Sequence, residues 1–196
     1  SIRRQRQMCI RDRPGPGVDK IKGHWRWEEG WPIERSFKRT FYAGLNHGLS
    51  MEPSKKDTHR LVYKPSVGLE GGGPVMWWGN IPPDQQIMDD YCLTYDSQPL
   101  DSAIEILGMP VAFLNVSSDA SRANWVVRIS DVSLDGSVTQ VGAEAFNGTH
   151  RNSARDPEDL IPGKIFPLEI ELHFTSWVFS KGHRIRLSIN NAPVSY

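Results

Sequence analysis

Every second residue from 166 to 174 is apolar. Phe166, Leu168, Ile170, Leu172 and Phe174 alternate with Pro167, Glu169, Glu171 and His173, a period of two that only an extended chain turns into one apolar face and one wet face. Residues 183–190 repeat the pattern, with Ile185, Leu187 and Ile189 inward and Arg184, Arg186 and Ser188 toward solvent. Trp125, Val127 and Ile129 alternate with Val126, Arg128 and Ser130 until Asp131-Val132 breaks the phase. Leu134-Asp135-Gly136-Ser137 then supplies the Asp-Gly pair that a tight hairpin favours, so the run to Ala145 is expected to pair back antiparallel. Residues 111–116 are apolar on both faces, as in a strand covered on both sides. Segments 37–43, 91–95 and 103–107 are further strand candidates. Short strands divided by Gly, Pro, Asn and Asp turns, with almost no helical periodicity and no internal repeat, predict an all-β antiparallel sandwich or jelly roll. Any helix is expected to be short, at 157–160 and 176–180.

The first 13 residues do not share this patterning. They carry five arginines and one aspartate, and 6–13 resembles translated sequencing-adapter sequence, so segment 1–13 is set aside as non-native and is expected to pack against nothing. A natural basic arm is the alternative. Without the head, the 23 basic and 23 acidic residues become 18 and 22, and formal charge moves from zero to minus four. That balance gives no footprint for nucleic acid, and no apolar run approaches the ~20 residues of a membrane helix, so neither is an expected partner. Setting Cys9 aside leaves Cys92 alone, which excludes an internal disulfide or a thiol-rich metal site.

Little in the chain points to bond-making chemistry. The Gly-x-Ser-x-Gly turn that lifts a hydrolase serine clear of its backbone is absent, and Ser66, Ser117, Ser118 and Ser188 read as solvated hydroxyls. His24, His47, His59, His150, His173 and His183 form no His-x-x-x-His pair, so neither a metal nor a cofactor is expected. Asp89-Asp90 and Glu28-Glu29 are neighbours that an extended strand turns to opposite faces, so they cannot share a proton and are assigned to surface solvation. Asn115-Val116-Ser117 and Asn147-Gly148-Thr149 match the N-glycosylation pattern, which is common by chance.

Seven tryptophans are the surplus. Trp125 and Trp177 lie in patterned segments and read as packing residues. Trp77 and Trp78 lie between Gly71-Gly72-Gly73-Pro74 and Pro82-Pro83, in a long loop where either local packing or a pocket or interface role is expected.

Several ordered motifs are shared with one family. Gly23-His24-Trp25-Arg26, Trp31-Pro32, Tyr42-Ala43-Gly44, Leu93-Thr94-Tyr95-Asp96-Ser97-Gln98-Pro99-Leu100, Val116-Ser117-Ser118-Asp119-Ala120 and Gly182-His183-Arg184-Ile185-Arg186 together resemble the C-terminal domain of the X-Pro dipeptidyl-peptidase and cocaine esterase (CocE/NonD) family of serine hydrolases. The resemblance implies a galactose-binding-like jelly roll, clipped at both ends, with a lead-in segment at 14–36 and the sandwich at 37–196. It also implies a partner, the α/β-hydrolase catalytic domain of the same parent protein, whose serine, aspartate and histidine act through an acyl-enzyme. None of the three maps onto this sequence. Asn124 stands where relatives commonly carry an aspartate, so no role is taken over from that carboxylate.

The leading expectation is an accessory, non-catalytic domain that packs on the catalytic domain and helps wall its substrate pocket, with Gly71, Gly72, Gly73, Trp77 and Trp78 at the pocket rim or domain interface. The alternatives are a free-standing carbohydrate-binding jelly roll, warranted by fold analogy alone, and a purely structural or oligomer-forming sandwich. Peptide or ester substrate, compartment and oligomeric state are not legible.

Overall fold

The computed structural model describes residues 6–11, 23–55, 58–63 and 84–191. In chain order the strands are β1 (Arg6–Arg11), β2 (Gly23–Glu28), β3 (Tyr42–Ala43), β4 (Gly48–Ser50), β5 (Leu93–Ser97), β6 (Ile104–Gly108), β7 (Val111–Val116), β8 (Asn124–Val132), β9 (Val138–Asn147), β10 (Phe166–Glu171), β11 (Thr175–Phe179) and β12 (Arg184–Asn190). One turn of helix, α1 (Gln86–Asp89), precedes β5, and single 3₁₀ turns occupy Leu45–His47 and Gly148–His150.

Six strands form the main sheet in the order β3-β4-β5-β12-β8-β9, antiparallel except for the β4–β5 pair. Two antiparallel ladders, β10–β7 and β11–β6, form the second layer. The core lies between the layers. Trp125 and Val127 of β8 meet Phe166, Leu168 and Ile170 of β10 on one side, and Tyr95 and Ile185 meet Trp177 and Phe179 of β11 on the other. Ile129, Leu187 and Ile189 touch both halves. Among the described residues no backbone ladder joins the two pairs to each other or to the main sheet, though Thr175 Oγ1 of β11 donates to the Val141 carbonyl of β9 at 3.0 Å, and the chain is an all-β sandwich.

Alternation set these strands, and the differences from expectation follow from what covers each face. β10 alternates buried and exposed from Phe166 to Glu171, as predicted, but the chain bends after the buried Leu172 and leaves Phe174 exposed, edge-on to Trp31 at 5.7 Å. The β8–β9 hairpin forms around Asp135-Gly136, with Gly136 at φ 88°, a left-handed conformation open to glycine at no steric cost. The ladder carries a bulge at Val141 of β9, across from the step between Ile129 and Ser130, while β8 keeps its phase: Asp131 follows Trp125, Val127 and Ile129 inward and accepts from Trp177 Nε1. In β7 only one face is covered, because Val111, Phe113 and Asn115 point outward. No helix forms at 157–160, and residues 176–179 lie in β11, where Trp177 and Phe179 need a period of two to reach the core. Segment 37–43 contributes only Tyr42–Ala43 to the sheet.

The head also differs from expectation. β1 pairs with β2 along its full length, from Arg6 opposite Glu28 to Arg11 opposite Gly23. Backbone pairing needs no apolar periodicity, so the absence of such a pattern did not preclude a strand.

At the end of β2, Glu28 is buried while Glu29 is exposed, which corrects the assignment of both to surface solvation. Arg35 forks onto Glu28, with Nη1 donating to Oε2 at 2.6 Å, and Arg26 Nε donates to Oε1 at 2.6 Å. Arg26 reaches on to Glu105 and ties β2 to β6. The Arg35 guanidinium, more than Arg26, holds the Glu28 carboxyl at about 2, below its ordinary 4.5. A depressed carboxylate stabilises the fold fully above its unfolded pKa and ceases to do so as pH falls through the folded value. Thermal midpoints of the wild type and Glu28→Gln are therefore expected to differ at neutral pH and to converge between about pH 4.5 and 2. A gap that persisted unchanged at pH 2 would show that the charge is not what Glu28 contributes.

Candidate functional site

A cleft of about 1740 Å³ opens at one end of the sandwich. That is more than the roughly 300–1,000 Å³ of a drug-sized pocket. One wall is the segment 58–63 and the other is the Ser117-Ser118-Asp119-Ala120 loop with the loops at 147–150 and 157–163. Trp125 lies at the base. Gly148 sits so close to it that a Cβ there would overlap the indole ring.

The shared motif stitches these loops together. Ser118 Oγ accepts from the Ala120 N–H at 3.0 Å, the Ser118 carbonyl accepts from the Gly163 N–H at 2.8 Å, and the Ser121 carbonyl from the Leu160 N–H at 2.7 Å. Asn147 Oδ1 accepts from both the N–H and hydroxyl of Thr149, at 3.0 and 2.9 Å. Arg151 donates to the carbonyls of Gly148, Glu158 and Asp159 and lies 4.5 Å over the Phe166 ring. These side chains are spent on loop shape. The exposed Arg122–Asp159 pair, 3.0 Å apart, leaves charged groups at the mouth.

Five histidine side chains make contacts within the fold. His59 Nδ1 lies 2.7 Å from the Tyr95 hydroxyl, and its ring stacks on His47 at 4.6 Å. His150 Nδ1 meets the Ser153 carbonyl at 3.1 Å. His173 and His183 lie against carboxylates, Glu144 at 3.2 Å and Asp131 at 2.9 Å, contacts made across strands and invisible to a search by sequence spacing. Asp131 also accepts from Trp177 Nε1 at 3.0 Å. Among the described residues no cluster of three or more His, Cys, Asp or Glu would hold a metal ion.

A second polar site lies on the outer face of the main sheet, beneath α1. Arg184, Arg186 and Ser188 were expected in solvent, and Asp89 was assigned to surface solvation. Ser188 is instead buried, Arg184 and Arg186 are half-buried, and Asp89 lies inside the cluster while Asp90 stays exposed. Arg128 Nη2 and Ser188 Oγ donate to Asp89 Oδ1, the latter at 2.9 Å, and Arg186 Nη1 donates to Asp89 Oδ2 at 2.8 Å. Arg186 also forks onto Asp96, both bonds 2.6 Å, and Asp96 is the chief reason its guanidinium is held even more firmly protonated than usual. Arg128 Nη1 donates to Gln85 Oε1 at 3.1 Å. Nearby burial pushes the Cys92 thiol up to about 11, so that it stays protonated at neutral pH.

Gly71, Gly72, Gly73, Trp77 and Trp78 lie outside the described residues. Trp125 and Trp177 are core residues as expected, whereas Trp27 and Trp31 are exposed.

The domain is thus an all-β sandwich with a cleft at one end, walled by loops that its own side chains hold in shape. The chain belongs to the family of X-Pro dipeptidyl-peptidase C-terminal non-catalytic domains, which it matches over residues 7–192. That match begins inside the segment set aside as adapter-like. The chain is 27% identical to the cocaine esterase of Rhodococcus sp. (strain MB1 Bresler), covering 90% of this chain and 34% of the esterase. It is 26% identical to a provisionally named serine esterase of Mycobacterium bovis, covering 90% and 32%. In structure it is similar to an aminopeptidase from a marine-sediment Thaumarchaeota archaeon, with TM-score 0.71 and 25% identity, covering 86% of this chain and 31% of that one. The chain thus spans about a third of the length of the relatives it matches.

Proposed function

We propose that this chain is the accessory domain of a serine hydrolase of acyl-esterase or X-Pro dipeptidyl-peptidase type, packed on an α/β-hydrolase catalytic domain of the same polypeptide and walling its substrate pocket. The observation that carries this is the match to a non-catalytic domain over 7–192, in relatives about three times as long that are named for ester cleavage. The nucleophile, base and oxyanion hole belong to the catalytic domain in this reading. The loop with Gly71, Gly72, Gly73, Trp77 and Trp78 forms the pocket rim, since glycines allow turns closed to other residues and two indoles are costly to leave in water.

The isolated chain is expected to turn over neither nitrophenyl acyl esters nor X-Pro peptides. In the full-length polypeptide both Trp77→Ala and Trp78→Ala are expected to raise KM or change acyl preference with the triad intact. Activity of the isolated chain that survives repurification and is lost on one substitution within it overturns the non-catalytic reading. Unchanged kinetics for both variants across several substrates removes the loop from the pocket.

A further inference from the structure

The sequence of β7, Val111-Ala112-Phe113-Leu114-Asn115-Val116, is that of a strand covered on both faces, yet the fold covers one. Ala112, Leu114 and Val116 pack into the core, while Phe113 is 73% and Val111 39% exposed. Burying a large apolar side chain stabilises a protein by about 1.5–3 kcal/mol, and Phe113 and Val111, two residues apart on one outward strand face, form an adjoining apolar pair of the kind a partner can cover. The register supplies the other half of the pattern: Glu169 and Glu171 of β10 stand directly opposite Phe113 and Val111 and point outward.

We infer that the outer face of the β7–β10 ladder is the docking surface for the catalytic domain of the same polypeptide, with Phe113 and Val111 seated on an apolar patch and Glu169 and Glu171 facing basic side chains at its rim. This rests on the accessory-domain reading above and adds which face is used. Relatives carry about twice this chain's length as further polypeptide, and a covalently joined partner is present at high effective concentration, which lowers the contact needed to hold it. A second copy of this chain fits less well. It would bring its own pair of glutamates toward an already acidic face, and like charges brought together suppress wrong partners.

The test is p-benzoylphenylalanine placed at position 113 of the full-length polypeptide, with the photocrosslinked peptide identified by mass spectrometry. Crosslinking to the catalytic domain is expected. Crosslinking to residues 64–83, to a second copy, or to nothing overturns the inference. Phe113→Glu should leave the melting temperature of the isolated chain unchanged, because the side chain is solvated there. In the full-length polypeptide it should release the two domains to limited proteolysis roughly tenfold faster, the factor given by about 1.4 kcal/mol of lost contact. Unchanged proteolysis also overturns the inference. If hydrolase turnover is intact while residue 113 crosslinks elsewhere, only the choice of face fails. If the full-length polypeptide has no hydrolase activity, the accessory-domain reading fails with it.

Discussion

Ile170→Asp is expected to unfold this domain, and Glu169→Ala, one residue away, to leave it nearly unchanged. Ile170 is 1% exposed, packed among Leu168, Leu172, Val127 and the partly buried β7 side chains, whereas Glu169 points outward. The aspartate forfeits the burial of the isoleucine, about 1.5–3 kcal/mol. It also leaves an unpaired carboxylate with no water and no donor, which costs at least about 3–5 kcal/mol or forces it to take up a proton. Domains of this size are stable by about 5–15 kcal/mol in total, so the two losses, about 4.5–8 kcal/mol together, match the total stability at the lower end of that range. Truncating Glu169 should fall within about 0.5 kcal/mol of the wild type. Urea midpoints followed by far-ultraviolet circular dichroism separate the cases. Similar midpoints for the two variants would mean that the register of β10 is shifted by one residue.

That contrast was legible because alternation is local. The inward set of β12, the β8–β9 hairpin and the strand at 166–171 all follow from neighbours two residues apart. What covers the second face of a strand is not local. Arg186 and Ser188 read as solvent-facing because nothing near them in sequence is complementary, yet Asp89, 97 and 99 residues earlier, closes over both. The same blindness assigned 111–116 to two-sided burial within this fold and Asp89 and Glu28 to water. A helix at 176–180 failed for another reason: five residues are too few to separate a period of 3.6 from one of two, and Trp, Val and Phe favour the strand that formed. The loop motif at 117–120 was legible as a family mark, but its work of stitching 118–163 together needed the backbone partners. Trp77 and Trp78 rest on composition alone.

The outer-face cluster carries the other large expectation. Asp89→Ala should cost about 3–5 kcal/mol, the usual loss when one member of a buried ion pair is removed and the other stays charged. Both Asp89 and Arg128 side chains are 7% exposed, so neither water nor salt replaces the missing partner, and the effect should persist in 1 M NaCl. The two arginines will not suffer equally. Arg186 keeps its fork onto Asp96, while Arg128 retains the Gln85 amide at 3.1 Å and a long 3.4 Å approach to Ser188. Arg128 is therefore the stranded charge. It follows that Asp89→Ala combined with Arg128→Met should be more stable than Asp89→Ala alone, since replacing a whole buried pair by apolar groups is often neutral where halving it is not. The local consequence is at α1, a single turn too short to persist without tertiary contacts. In Asp89→Ala the Tyr91 and Cys92 amides, bonded to the Met88 and Asp89 carbonyls at 3.1 and 3.0 Å, should lose hydrogen-exchange protection before the β8–β12 ladder does. Equal destabilisation of the single and double variants, or protection retained at Tyr91 and Cys92, would show that α1 is held by Met88 packing and the Gln85 N–H bond to the Val138 carbonyl instead.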